Sequence, residues 1–486
     1  MDRIKADYAL ELQSKEMEDL VVQAMDRIRP FLDSLSDQPA ADTQDGEELA
    51  RSLRDSLPLH GTPFPELLDL LFSRLIPKSF NTAGPGYLAY IPGGGIVHTA
   101  VADFIADSVN RYVGVWAAAP ALAQLEVNVG RWFCEIVSYP ASALGLLTSG
   151  GSMSNLIALV TARRNKLPED FLSGTLYTSD QTHYSVSKAA VLAGFPPSNV
   201  RLVPSDGRFR IDLEQLAENV RRDRENGMVP FLLVGNAGTT NTGAVDDLTA
   251  LADFAQEQGM WLHVDGAYGG FFMLTQRGRE LMRGIERADS ITLDPHKGLF
   301  LPYGTGSLLV RDGSTLRQAH SVRAVYLPET GQEPDLVDLS QVSPELSRAF
   351  RGLRVWLPLK MHGIGPFRQN LEEKLQLAQW ITARLREIEE LEIVAEPQLT
   401  VLAFRLRLPG CDDETTNRLT RLLMDEVNAR RRVYLSSTVI DGRFLVRICV
   451  LSFRTHLDRM QMALEDIKAA VSNVVNQHLG SKSHDN

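Results

Sequence analysis

Lys297 stands in the stretch DPHKGLFLPYGTG, residues 294–306, with a carboxylate at Asp294, an imidazole at His296 and an apolar run behind it. An amine among apolar neighbours is expected to have a depressed pKa, because burial disfavours the ammonium. A neutral amine can attack a carbonyl carbon and hold it as an imine. A lysine beside a glycine turn is equally an exposed surface charge, so this stretch alone does not decide. Three further stretches carry groups of the same kind. TSGGSMSN, 148–155, sets Gly150, Gly151, Ser152 and Ser154 between a strand and a helix. Its glycines let the backbone approach an anion, and a helix start offers free N–H groups and the positive end of its dipole. The plain alternative is a serine cap on a glycine turn. HVDGAYGG, 263–270, closes a very apolar strand with Asp265, a carboxylate that is costly to bury unless paired; otherwise it caps the next turn. SDQTHYSVSKAA, 179–190, places His183 in a strand-to-helix turn, where a histidine is otherwise a cap or a surface group.

Several chemistries fail on these residues. A hydrolase elbow needs GxSxG, and Gly150-Gly151-Ser152-Met153-Ser154 ends in serine. Neither a Walker A nor a GxGxxG signature is present. His263 and Asp265 share a strand face, but no third ligand, HExxH or CxxC accompanies them, so no metal is expected. Taken in order, a phosphate cradle, an imidazole able to stack on a flat ring, an aspartate and a lysine are what pyridoxal 5'-phosphate (PLP) requires. The lysine holds the aldehyde, and the aspartate keeps the pyridine nitrogen protonated so that the ring draws in electrons. Thirty-two residues separate Asp265 from Lys297, room for one helix and one strand, so both can end on the same sheet edge.

The elements that must position these groups are legible as alternation. Short apolar runs at 145–148, 175–179, 200–204, 231–235, 261–264, 290–293 and 306–310 read as strands, with helices around 153–165, 184–193, 212–226 and 247–258. This pattern predicts an α/β fold, a mostly parallel sheet covered on both faces, with ligands beyond the carboxyl ends of its strands. Before it, Met17, Leu20, Val21, Ala24, Ile28 and Phe31 form one helical stripe that Pro30 should close within a residue or two, and 66–76 reads as a second helix. Such a pair cannot bury its own apolar faces and must lie on another domain or subunit. After the sheet, a helix (366–389), an alternating run (400–408), a helix (413–430), a hairpin turning at Asp441-Gly442 and a last helix (456–477) form a smaller α+β unit. The expected division is an N-terminal helical arm, 1–76, a large PLP-binding domain, 77–355, and a small C-terminal domain, 356–486.

Composition bounds the rest. The 486 residues are 44% hydrophobic and 23% charged, an ordinary globular balance. A net charge of −11 argues against nucleic-acid partners. No apolar run is long enough to span a bilayer, the densely charged first residues are no secretory signal, and three scattered cysteines form no disulfide frame, which together predict a cytoplasmic protein.

From about Gly84 to Leu451 the chain resembles the group II PLP-dependent decarboxylases, closest to their aromatic-L-amino-acid branch. The resemblance implies the aspartate-aminotransferase-like fold (type I), a homodimer with active sites at the interface, and a small-molecule amino-acid substrate. LDPHKG matches the family's lysine motif, making Lys297 the Schiff-base lysine and placing His296 near both cofactor and substrate. HVDGAYGG matches its aspartate motif, with Asp265 on the pyridine nitrogen and Ala267 under the ring. SDQTHYSV makes His183 the ring-stacking residue. GNAGTTNTGAVDDL, 235–248, puts Thr240 near the cofactor, and SGGSMSN gives Gly151 and Ser152 to the phosphate. AVYLPE, 324–329, resembles the catalytic loop, whose tyrosine, here Tyr326, would protonate Cα. A phenylalanine there is associated in this family with oxidative deamination to an aldehyde. GPGYLAYIPGGG, 84–95, and NRYVGVWAAAP, 110–120, resemble the pocket-lining segments and implicate Tyr87, Tyr90, Ile91, Tyr112 and Gly114 in substrate binding. Ile91, Gly93, Tyr112 and Gly114 depart from the aromatic enzymes. Tyr303 falls where the partner subunit's residue approaches the phosphate. Asp294 replaces an asparagine near the phosphate, where a second carboxylate is unfavourable unless it points away or meets a cation. The implied activity is decarboxylation of an aromatic or other bulky L-amino acid to a primary amine. Oxidative deamination, β-elimination, transamination or a catalytically silent relative are the alternatives.

Overall fold

A computed structural model describes residues 10–321 and 336–484. Its centre is a seven-stranded sheet of β1 (Leu144–Thr148), β2 (Gly174–Ser179), β3 (Val200–Val203), β4 (Val229–Asn236), β5 (Trp261–Asp265), β6 (Ser290–Leu293) and β7 (Gly306–Val310), in the order β1-β7-β6-β5-β4-β2-β3. The pairs β2/β3, β2/β4, β4/β5 and β5/β6 are parallel, and β7 runs antiparallel to both β1 and β6. Side-chain alternation divides each strand between two buried faces. Leu147, Leu233, Leu262, Val264 and Leu309 join one core, while Leu146, Leu232, Val234, Trp261 and Leu308 join the other. Because His263 and Asp265 alternate with Leu262 and Val264, both point to the Trp261 side, where the helix Gly151–Lys166 packs.

A second, antiparallel sheet of β8 (Leu391–Ala395), β9 (Val401–Leu406), β10 (Ser436–Ile440) and β11 (Arg443–Cys449), ordered β10-β11-β9-β8, follows it. The helices Gly365–Arg386, Asp413–Ala429 and Leu457–His484 pack against it around Phe404, Leu423 and Ile467. Asp441 and Gly442 both take positive φ, 50° and 75°, the two-residue turn whose twist matches the flanking strands.

Some elements depart from the sequence pattern. The first helix, Ser14–Asp33, runs through Pro30 and ends three residues beyond it. The backbone N–H and hydroxyl of Ser34 both bond to the Pro30 carbonyl and close that turn. The second arm helix is α-helical over Phe64–Leu70 and continues as a π-helical turn, Leu71–Leu75. Ser14–Asp33 buries none of its residues and meets the second helix through an Arg27–Asp69 ion pair of 2.6 Å and the Phe31 and Phe72 rings, 6.2 Å apart. Strand β8 and the helices Val97–Val109, Pro120–Ile136 and Arg351–His362 add to the expected elements. No helix among the described residues is long and apolar enough to cross a membrane. Cys134 and Cys449 are buried free thiols, pushed by burial up to about 12.

Candidate active site

The carboxyl ends of β2, β4, β5 and β6 and the start of the helix Gly151–Lys166 surround a cavity of about 290 Å³. Each wall follows from a strand end. β6 stops at Leu293, and a single turn, Pro295–Gly298, presents His296 and Lys297. Behind them Leu299, Phe300 and Leu301 are buried, with Phe300 held at φ 62°, a conformation that disfavours a bulky side chain.

Lys297 is not the depressed amine that apolar neighbours alone would produce. Burial does pull its pKa down, but the Asp294 carboxylate, with Oδ2 2.9 Å from Nζ, and the charge of Asp265 carry it above the ordinary lysine value. Asp294 thus meets a cation, which explains how a carboxylate only 2% exposed is accommodated there. His296 lies beside the pair, its Nε2 3.7 Å from Asp294 Oδ2, and its Nδ1–H donates to the Thr305 carbonyl at 2.7 Å. That bond leaves the Nε2 lone pair free when the ring is neutral.

Asp265 ends β5 and is fixed from two sides. Its Oδ1 accepts the Ala267 N–H at 3.1 Å and its Oδ2 accepts Asn155 Nδ2 at 3.0 Å. Asn155 anchors the network: its Oδ1 accepts the Thr292 hydroxyl at 2.7 Å and His263 Nε2–H at 3.1 Å. Its Nδ2 also donates to Ser185 Oγ at 3.0 Å. Ser185 in turn bonds His183 Nδ1 at 2.8 Å, so a continuous chain links His183 to Asp265. Burial holds His183 below its usual range, against the opposing pull of Asp265. Asn155 escapes the motif reading. Its only signal is its place one helical turn after Gly151, on the face that meets β5 and β6.

The fully buried His263 is pushed down to about 4, chiefly by burial, and burial likewise lowers His320 to about 4. The unfolded chain takes these protons near pH 6.5, before the folded one can, so stability is full above about 6.5 and is lost as pH falls toward about 4. His263 alone contributes about 3 kcal/mol at most to that loss. Thermal melts at successive pH values should therefore show a falling Tm across this window. His320→Gln, which can keep the 3.0 Å bond to Thr161, should flatten part of the fall; an unchanged slope would contradict it.

The opposite end of the cavity is the glycine turn. Gly150, at φ 155° and ψ 170°, has a conformation open essentially to glycine. A Cβ on Gly151 would lie 2.9 Å from Asp294 Oδ2 and 3.2 Å from Ala267 Cβ. The helix that starts there has no side-chain cap, so its first N–H groups are left for a ligand. Ser152 and Thr240 also line the cavity. Thr240 sits on a loop clamped by the buried Arg447, which bonds the Thr240 and Asn241 carbonyls.

Lys297, His296, Asp294, Asp265, Ala267, His183, Thr240, Gly151 and Ser152 are thus brought together. The residues expected on the substrate side do not line this cavity in a single chain. Tyr87 is buried and stacked on Tyr434 with ring centroids 5.9 Å apart, and Ile91 packs in the core. Tyr90 is exposed, with φ 51°. Tyr112 donates to the Leu346 carbonyl at 3.1 Å, and Gly114 lies so close to that carbonyl that a Cβ would collide with it. Tyr303 is 60% exposed, its ring 5.7 Å from His296. The 84–95 segment does abut the site, since a Cβ on Gly93 would collide with the His296 carbonyl. Tyr326 lies outside the described residues.

Residues 47–407 match the family model described as the pyridoxal-dependent decarboxylase conserved domain. The chain belongs to this family. The decarboxylase is 36% identical to an aromatic-L-amino-acid decarboxylase of Bacillus atrophaeus over 469 residues, covering 96% of this chain and 97% of the relative. It is 27% identical to a phenylacetaldehyde synthase of Arabidopsis thaliana, covering 90% and 92% of the two chains. A crystal structure of Oryza sativa TDC with PLP and tryptamine superposes with a TM-score of 0.91 at 28% identity, covering 95% of this chain and 99% of that one. The fold is therefore that of the type I PLP enzymes, PLP is the cofactor, and the enzyme is a carboxy-lyase. The site fits PLP on its own terms: an uncapped helix start that a Cβ at Gly151 would obstruct, a fixed carboxylate at Asp265 and an amine at Lys297 all face one cavity.

Proposed function

We propose that this decarboxylase removes the carboxylate of an aromatic L-amino acid as carbon dioxide and releases the primary amine. The observation that carries the reading is the convergence of Lys297, Asp265, His183 and the Gly151 turn on one cavity. PLP, when bound, supplies the electron sink into which the breaking Cα–carboxylate bond discharges. Lys297, which lines the cavity, would hold the cofactor through its aldehyde carbon. Asp265 holds a proton at the pyridine nitrogen, and its fixed bonds to Asn155 and Ala267 keep the carboxylate aimed without reorganisation. His183, its pKa lowered by burial, and Ala267 both line the cavity and would hold the cofactor's ring by stacking and packing. Gly151, Ser152 and the first N–H groups of their helix would hold the phosphate, and Thr240 and His296, which also line the cavity, would border the reacting end.

Tyr326 delivers the proton to Cα. Its presence, in place of phenylalanine, favours amine over the aldehyde made by relatives such as the phenylacetaldehyde synthase. Tyr326→Phe is expected to lower amine formation by about 10²-fold and raise aldehyde, ammonia and peroxide. Unchanged product ratios would remove Tyr326 from this role.

The enzyme works as a homodimer in the cytoplasm, with Tyr87, Tyr90, Ile91, Tyr112 and Gly114 shaping a substrate pocket completed by the partner subunit, which also contributes its Tyr303 to the phosphate. Support for the dimer comes from the helix Val97–Val109, which exposes Val97, Val101, Phe104, Ile105 and Val109 next to Tyr112. It comes also from the N-terminal arm, which buries nothing along its first helix. A panel of L-amino acids assayed for carbon dioxide release tests the substrate class. Release from tryptophan, tyrosine or phenylalanine is expected, and release confined to acidic or small amino acids would overturn it.

A further inference from the structure

The 83–95 segment, which carries Tyr90 and Ile91, runs between the Lys297 turn and the small domain. On the first side, a Cβ on Gly93 would lie 2.0 Å from the His296 carbonyl oxygen, and the Ile96 N–H donates to the Phe300 carbonyl at 2.8 Å. On the other side, Ser436 Oγ accepts the Tyr90 N–H at 3.3 Å and the buried Thr455 hydroxyl donates to the Pro85 carbonyl at 2.7 Å. The backbone between these ties has little stiffness of its own. Tyr90 is held at φ 51°, and Gly94 and Gly95, at 87° and 68°, belong to a run of three glycines, the residue type with the most freedom to lose. Among the described residues, no main-chain hydrogen bond holds Gly93, Gly94 or Gly95. One side chain does. Arg454 Nη1 donates to the Gly94 carbonyl at 2.6 Å and to the Ala83 carbonyl at 3.0 Å, so both ends of the segment meet at a single guanidinium. The guanidinium lies over the Phe453 ring, 4.3 Å from its centroid. No carboxylate pairs with it among the described residues, and burial alone moves its pKa, downward.

We propose that Arg454 is a positioning residue for the substrate: by tying the Ala83 and Gly94 carbonyls to one guanidinium, it holds the 83–95 segment closed against the Lys297 turn and so fixes the wall that carries Tyr90 and Ile91. This rests on the reading of those two residues as substrate-side groups under Proposed function. The chemistry of the side chain suits the task. A guanidinium presents its N–H groups as a rigid planar fork that serves several oxygens at once, whereas a lysine ammonium is a point charge on a flexible stem. The glycines permit the close approach that the wall needs: a Cβ on Gly94 would lie 2.5 Å from Ser452 Oγ, as one on Gly93 would strike the His296 carbonyl. The same glycines leave the run unable to hold itself, so the hold comes from outside it. Arg454 bonds to none of the residues that line the cofactor cavity. Its effect therefore falls on the substrate and not on the cofactor. A wall that grips the side chain of the amino acid equally before and during bond breaking acts on KM more than on kcat.

The test compares wild-type holoenzyme with Arg454→Lys and Arg454→Met. Both variants are expected to bind PLP to the wild-type stoichiometry, read from the absorbance of bound cofactor. The substrate is whichever of L-tryptophan, L-tyrosine and L-phenylalanine the wild type decarboxylates fastest. Its KM should rise by about tenfold in Arg454→Met and by less in Arg454→Lys, with kcat changed by no more than about threefold. A KM within about twofold of wild type in both variants, or a loss of activity that merely follows a loss of bound PLP, would overturn the proposal. A second readout needs no substrate: amide hydrogen exchange of the holoenzyme. Peptides covering 83–95 should exchange about tenfold faster in Arg454→Met, while those covering 261–265 keep the wild-type rate. Unchanged exchange at 83–95, or a rise shared by the whole chain, would contradict the hold assigned to Arg454. Wild-type enzyme that decarboxylates none of the three amino acids would overturn the reading under Proposed function, and the exchange measurement then decides the role of Arg454 by itself.

Discussion

Lys297→Ala is expected to abolish both the absorbance of covalently held cofactor and turnover, the latter by on the order of 10⁴-fold or more. Lys297 is the amine that faces the cavity, on a one-turn helix pinned between β6 and a buried apolar run, so no neighbour can take its place. The variant leaves the Asp294 carboxylate buried without its cation, so a loss of stability of about 3 kcal/mol accompanies the loss of activity. Combining it with Asp294→Asn should restore most of the stability and none of the activity. Turnover within tenfold of wild type in Lys297→Ala would end the covalent role.

The second large effect is expected at Asp265. Asp265→Asn keeps the shape of the side chain but removes its charge, and a single amide oxygen must serve both the Ala267 N–H and Asn155 Nδ2. PLP should still bind through Lys297 and the Gly151 turn. The proton at the pyridine nitrogen is no longer held, so kcat should fall by about 10²- to 10³-fold with KM changed by no more than about threefold. A KM effect with kcat preserved would mean that Asp265 merely orders the strand end. Asn155→Ala, which frees the carboxylate to swing, should give a smaller loss in kcat of the same sign.

How much of this is legible in the sequence depends on where each group draws its meaning. Lys297, Asp265 and His183 each end an apolar strand run, and parallel strands deliver such ends to one edge, so linear order and strand pattern suffice to collect them. Asn155 has meaning only once β5 and β6 lie side by side beneath its helix, a pairing of segments more than a hundred residues from it in sequence. Asp294 reads in the sequence as a second carboxylate in an anion site; only the fold shows that it meets Lys297 three residues on. For the same reason the amine's pKa direction, expected from apolar neighbours, is reversed, chiefly by the Asp294 carboxylate and further by Asp265. The helix Val97–Val109 hides from hydropathy because its pattern is inverted: small Thr99, Ala102 and Ala106 are buried, while Val101, Phe104 and Ile105 are exposed. The substrate side is harder still, since Tyr90, Tyr112 and Tyr303 lie at the surface of one chain.

The most direct measurement is to reduce the purified wild-type enzyme with borohydride after incubation with PLP, digest it and locate the labelled peptide by mass. A pyridoxyl label on Lys297, in the peptide containing DPHKGLFLPYGTG, is the predicted result. Absence of label, or label on another lysine with Lys297 unmodified, would contradict the assignment of the active site.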